Sequence, residues 1–230
     1  MLAHRMMAAA AGVSRLTPLP ANTKFLCHAD GTDGSTTFTD TSSSGYTITA
    51  NGNAQVDTAQ FKFGTGSALF DGTGDYLNVD TNSAILGSGD FTVACWIRVG
   101  SSVSNRTIMT TRDGVSGSNK WLFFMGSTIS LSWSTGDAAI ISNVGNLSTN
   151  TWHHVAAIRS SGTLKIYLDG TGVGSAADSN NYNAATDLRV GIADGSNSAF
   201  IGHMDEILIA NSAVWTSDFT PPTRPYEDAP

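Results

Sequence analysis

Asp205 is the side chain in this sequence whose placement most asks for a partner. It stands in the run FIGHMDEILIA, residues 200–210, where period-two alternation sets it on the face of Ile207 and Ile209. A bare carboxylate on such a face is costly unless a cation or several hydrogen-bond donors meet it. Calcium suits that chemistry, since the ion takes roughly six to eight oxygens from carboxylates and backbone carbonyls of flexible loops. Asp30, in the Gly-rich loop after the first strand, is the natural second donor, with Asp33, Asp40 and Asp71 behind it. Hydrogen bonds from loop amides, or an Arg, would also satisfy Asp205.

The histidines and glutamates offer less. His153 and His154 are adjacent, so strand alternation sends them to opposite faces and they cannot chelate one ion together. His28 and His203 stand one to a strand, the pattern of packed residues, and no zinc-type spacing exists. Glycoside hydrolysis would need two carboxyl groups flanking the scissile bond. The only Glu residues, Glu206 and Glu227, are each alone in their segments, and no G-x-S-x-G elbow or phosphate-binding loop occurs. No catalytic residue is assigned, and the expectation is a chain that is not an enzyme. Sugar binding needs an exposed ring for the C–H face of a pyranose and polar groups to read its hydroxyls. Trp121, Trp133, Tyr182 and Trp215 are the candidates, Trp121 and Tyr182 foremost because the polar stretches GVSGSNK and DSNNYN adjoin them. Trp96 and Trp152 lie inside strong strand patterns and read as packing.

The elements that must position these residues are strands. Good helix formers are scarce: there are 24 Gly, much Ser, Thr, Asn and Asp, but four Lys and two Glu. Strand signals cover 24–28, 46–50, 54–58, 67–70, 75–79, 91–99, 107–111, 121–125, 128–132, 138–142, 188–192 and 200–210. Residues 152–170, WHHVAAIRSSGTLKIYLDG, add a hairpin in which Trp152, His154, Ala156 and Ile158 are expected to share a buried face with Leu164, Ile166 and Leu168. About fourteen strands suit two stacked sheets better than a small barrel. Six Asp-Gly pairs, beginning at Asp30, Asp33, Asp71, Asp113, Asp169 and Asp194, punctuate them as tight turns.

Composition narrows the function classes. A net charge of −7, with no Lys/Arg cluster, argues against a nucleic-acid surface. No apolar run approaches the about 20 residues of a membrane span. Cys27 and Cys95 lie in strand-like runs, where buried free thiols are favoured over a disulfide. The leader MLAHRMMAAAAGVS is a poor signal peptide, its apolar patch being brief and weakly hydrophobic. Residues 1–23 are therefore expected to form a partner-docking arm, part helical, ahead of a domain at 24–219. Residues 220–230, holding four of the six prolines, should be an extended strap.

The ordered series FDGTGDYLNV (70–79), GDFTVACWIRV (89–99), WHHVAAIRSSGTLKIYLDG, LRVGIADG (188–195), FIGHMDEILIA and FTPP (219–222) resembles the laminin-G-like, concanavalin A-like jelly roll superfamily over about residues 24–225. The resemblance implies an all-β, two-sheet antiparallel jelly roll sandwich, glycan or protein binding, and often a structural calcium ion pairing the MDE strand with the loop after strand one. The basic, Ala-rich leader followed by KFLCHADGTDGSTTFTDTSSSG is similar to the opening of such domains in virion proteins of tailed bacteriophages. That likeness implies a non-enzymatic capsid decoration or head-fibre protein on the particle surface, held to other virion proteins through residues 1–23. A lectin or receptor-binding module is the alternative and a polysaccharide-degrading enzyme the third. A homo-oligomer is compatible with either of the first two.

Overall fold

Runs of β-branched and aromatic residues broken by Gly, Asn and Asp turns become strands in the computed structural model, which describes residues 16–101, 104–113, 117, 119–193 and 198–230. In chain order they are β1 (Thr23–Cys27), β2 (Thr47–Asn51), β3 (Gln55–Asp57), β4 (Ser67–Asp71) and β5 (Tyr76–Asp80). There follow β6 (Phe91–Val99), β7 (Arg106–Thr110), β8 (Trp121–Met125), β9 (Ser130–Thr135) and β10 (Ala138–Asn146). The last five are β11 (Trp152–Ser160), β12 (Thr163–Leu168), β13 (Thr171–Ala177), β14 (Leu188–Val190) and β15 (Ile201–Ala210). One sheet runs β13-β12-β11-β6-β15-β4-β3 with β1 added against β15; the other runs β10-β9-β8-β7-β14-β5-β2. This is the expected two-sheet antiparallel jelly roll sandwich.

The space between the sheets is filled by one apolar core that includes Phe25, Val93, Cys95, Ile97, Phe123, Leu131, Ile166 and Ile209. Cys27 and Cys95 are both buried free thiols there. Burial pushes the Cys27 thiol up to about 12, and Cys95 is raised by the same cause, so neither is reactive. Trp121 and Tyr182 also belong to this core, and that corrects their assignment as sugar platforms. Trp121 is 0% exposed and stacks on Trp133 at 5.1 Å, while Tyr182 is 1% exposed, its hydroxyl bonded to the Trp133 indole N–H and the Asp178 carboxylate. The rings turn inward because a large aromatic gains most from complete burial.

The outer face of the eight-stranded sheet is apolar too, which corrects the face assigned to the hairpin at 152–170. The two-residue Ser161-Gly162 turn pairs Ser160 with Thr163, so Ala157 lies opposite Ile166 and Ala156 opposite Tyr167. Val155, Ala157, Leu164 and Ile166 therefore face the core, and His154, Ala156, Ile158 and Tyr167 face out. Three segments sheathe that outer face. Ala213, Trp215 and Phe219 pack on Ala94, Ala156, Ile158 and Tyr167. Leu19 and Tyr226 pack on Leu26 and Leu208. The loop 58–66 lies over Trp96.

Of the expected arm, residues 1–15 lie outside the described residues. Residues 16–22 rest on their own domain: Thr17 bridges Tyr226 in parallel, and its amide donates to Pro225 O at 2.7 Å. Glu206 clasps this edge. It is 2% exposed, accepts the Tyr226 amide at 2.8 Å and meets His28, whose other ring nitrogen meets Asp228 at 3.1 Å. Burial alone would lower the His28 pKa, but the bond to Glu206 and the charges of Glu206 and Asp228 carry it above its ordinary value. Because the folded pKa is raised, this contribution is complete at acid pH and fades as pH rises through it. Glu206→Ala should cost about 2–3 kcal/mol, since it strands a buried amide and the His28 ring. Urea unfolding at pH 6 reads this; an unchanged midpoint, with Tyr226 amide exchange no faster, would remove the clasp from the account.

Candidate functional site

The site begins at an irregularity in β15. Asp205 pairs with Trp96 of β6, but Leu208 pairs with Ala94, so three steps on one strand match two on the other. The extra residue is a β-bulge at Glu206, whose φ of 50° is left-handed. The bulge inverts the alternation expected for this strand. Asp205 faces the outer side with Trp96, while Ile207 and Ile209 face the core.

On that side Asp205 is 0% exposed and its Oδ2 accepts the Lys62 and Phe63 amides at 2.8 and 3.0 Å. Three other carboxylates hold the same loop. Asp33 accepts the Thr58 amide at 3.1 Å, and Asp57 accepts the Ala59 amide at 3.0 Å while its second oxygen meets His203 at 2.7 Å. Asp30 takes the amides of Thr65 and Gly66 and the Thr65 hydroxyl. Gly64, at φ 64°, leaves the space that the Asp30 carboxylate fills. The two expected calcium ligands thus converge on one loop, but on its N–H donors, the opposite polarity from a cation. Among the described residues no three His, Cys, Asp or Glu side chains gather as a metal cluster, and this donor set does not fit calcium.

What the anchored loop builds is a groove of about 450 Å³ between itself and the strap at 220–223. Phe63 meets Trp96 edge-on at 5.9 Å, and the Lys62 ammonium sits 3.8 Å from the centre of the Trp96 ring. Trp152, half-buried, His153 and Asp169 line the remainder, with Thr151, Pro221 and Pro222. Asp169 and Gly170 form the hairpin turn after β12 with φ of 50° and 80°. The Asp169 side chain is fully engaged: Oδ1 accepts the His154 amide at 2.9 Å and Oδ2 meets His153 Nδ1 at 2.7 Å. The Ser148 amide donates to His153 Nε2 at 3.2 Å, so Nδ1 carries the proton of the neutral ring and donates to Asp169.

A second hollow, of about 270 Å³, lies on the other sheet with Leu122, Phe124, Arg112 and Asp137 in its wall. It offers one ring, and Arg112 and Asp137 are paired at 3.2 Å. The first groove combines three rings with a polar rim. The sequence does not single it out: Trp96 is packed and Asp169 stands in a turn, both as expected, but Trp152 is half-exposed rather than packed, and Lys62 carries no motif of its own. The one hint of Lys62 is its setting in QFKF, which spends one of only four lysines between two aromatics.

Two buried groups beneath the groove make stability depend on pH in opposite senses. Burial pushes the Asp205 carboxyl up to about 7 from 3.8, and burial holds the His154 ring down at about 3 from 6.5. The raised Asp205 contributes below 3.8 and loses that contribution as pH rises through about 7; the depressed His154 contributes above 6.5 and loses it as pH falls toward about 3. Their slopes therefore oppose each other through the acid range. Asp205→Asn keeps an oxygen for both amides and removes the buried charge. It should raise stability at pH 8, by on the order of a few kcal/mol, and steepen the loss below pH 6 because His154 is then unopposed. Urea midpoints from pH 5 to 8 that run parallel to wild type would refute the Asp205 assignment. EDTA should leave the melting temperature unchanged, and a clear rise on adding calcium would restore the ion.

Comparison with known proteins agrees with this architecture. Domain 4 of an extracellular arabinanase from Geobacillus stearothermophilus, solved with arabinotriose, superposes with a TM-score of 0.63 at 16% identity, covering 84% of this chain and 94% of that one. The binding domain of Paraclostridial Mosquitocidal Protein 1 gives 0.66 at 15% identity, and that of botulinum neurotoxin serotype D gives 0.63 at 19%. Each toxin match covers 84% of this chain but only about half of the toxin domain. No curated protein matches by sequence. At these identities the likeness concerns the fold. The family model of the Concanavalin A-like lectin/glucanases superfamily matches residues 71–218, well over half of the chain, and the chain belongs to that superfamily.

Proposed function

We propose that this chain is a non-catalytic carbohydrate-binding jelly roll that takes a saccharide in the groove between the loop 58–66 and the strap. The observation that carries the reading is the combination of Trp152, Phe63 and Trp96 with Lys62, Thr151, His153 and Asp169 in one open groove. Ring faces stack on pyranose C–H surfaces while the polar rim reads hydroxyls. The loop is held by four carboxylates, so little ordering entropy is left to lose on binding. The arabinotriose bound to a domain of the same fold supports a saccharide as ligand.

Binding without hydrolysis is the favoured reading because of where the carboxylates are committed. Glycoside cleavage needs one carboxyl as acid and a second as nucleophile or base across the scissile bond. The groove has Asp169 alone in its lining, with both oxygens bonded, and Asp205 is 0% exposed. Glu206 serves the tail clasp.

The place of display we infer is the particle of a tailed bacteriophage, as a capsid decoration or head-fibre protein. The support is the likeness of the leader and of residues 24–45 to virion proteins. Residues 16–22 are part of the folded domain, so the test of attachment is removal of residues 1–15 alone. The truncated chain should fold and fail to join particles; full incorporation would end the attachment reading. For the ligand, a glycan array should show saturable binding that Trp152→Ala reduces about tenfold or more, a typical loss for one stacking ring. Binding to no glycan, or binding untouched by Trp152→Ala, would overturn the groove as the site. Release of reducing sugar from any bound polysaccharide would restore the enzyme reading.

A further inference from the structure

The groove carries a cation without a counter-ion. The Lys62 ammonium is held against the Trp96 ring at 3.8 Å and lies 5.6 Å from the Phe63 ring centre. No carboxylate comes within ion-pair distance of it among the described residues. Asp205 and Asp169 are near enough to act on its charge, but Asp205 has turned Oδ2 to the Lys62 and Phe63 amides, and Asp169 is bonded to His153 and His154. Anchoring at the Lys62 amide also fixes where its side chain starts. A partly buried ammonium held over a ring and lacking an ion-pair partner is a ready donor to an anionic acceptor.

Resting on the saccharide reading above, we infer that the groove selects a carboxylated sugar, a uronic or sialic acid residue, with its carboxylate on Lys62 and its ring against Trp152. A neutral sugar could stack on Trp152 but would offer Lys62 only an uncharged hydroxyl, a weaker acceptor than a carboxylate, which pairs charge with charge. A sulfated or phosphorylated chain of many charges is disfavoured by the net charge of −7, which repels a polyanion at long range while leaving one local contact intact. The discrimination is therefore local, made by one side chain rather than by a basic patch.

The test is calorimetric titration of the full chain at 0.15 M salt with two acid and neutral pairs: trigalacturonate against galactotriose, and sialyllactose against lactose. At least one acid should bind about tenfold tighter than its neutral partner, the gain expected of one charge-assisted contact. Lys62→Gln should abolish that difference by weakening the acid far more than its neutral partner, Lys62→Arg should largely keep it, and Trp152→Ala should weaken acid and neutral sugars together. Equal affinity for acid and neutral partners overturns the carboxylate inference and leaves the saccharide reading standing. So does an acid preference that survives Lys62→Gln. If neither pair binds, the inference falls, and a glycan array with no hit would take the saccharide reading with it.

Discussion

One extra residue in β15 governs the outer face of this molecule. Where Asp205 to Leu208 runs against Ala94 to Trp96, the surplus is absorbed at Glu206 in a left-handed conformation. That places two neighbouring carboxylates in two different tasks. Asp205 turns to the outside and fastens the loop 58–66; Glu206 reaches the tail amide of Tyr226 and the His28 ring. Without the bulge, unbroken alternation would carry Asp205 into the space between the sheets, where it would face Ile207 and Ile209 with no donor.

The consequence is a sheet buried on both sides. β6, β11 and β15 read as nearly continuous apolar runs because sheathing segments cover what would ordinarily be the wet face. Those segments come from distant parts of the chain, the loop after β3, the stretch after β15 and the two termini. They meet the sheet through amide-to-carboxylate bonds, through Trp215 and Phe219 edge-on to the His154 ring at 5.5 and 5.7 Å, and through Tyr226 on Leu208. The groove is the gap they leave. Trp152 is the half-exposed remainder of that outer face, Phe63 comes from the covering loop, and Trp96 lies beneath them as the floor.

The same arrangement explains why titratable groups lie beneath the groove. A sheath of polypeptide excludes water from His154, Trp96 and Asp205, which form a row across β11, β6 and β15. Burial then penalises the charged form of each titratable member, raising Asp205 and lowering His154. The two penalties act in opposite senses with pH, so the row is more tolerant of acid than His154 would be alone.

Strand identity was legible in the sequence except at β13, whose Gly-rich TGVGSAA has no apolar alternation, because it follows from local periodicity and turn chemistry. Phe91, Val93, Cys95, Ile97 and Val99 do share one face, and Asp169-Gly170 is a tight hairpin turn. The need of Asp205 for a partner was legible as well, as a carboxylate in an apolar run. Which face each residue takes was not, since it depends on register: a two-residue turn put β11 on the opposite face from that expected while β12 kept its own, and a bulge turned Asp205 away from Ile207 and Ile209. Nor was the fate of each aromatic ring. Trp121 and Tyr182 went to the core and Trp152 to the groove because burial is decided by which distant segment lands on a ring, and a linear pattern holds no record of that. Local pattern was enough to specify a two-sheet β sandwich with a carboxylate in need of donors; that the donors are backbone amides, and that the loop they hold walls a groove, followed only from which distant segments meet in the folded chain.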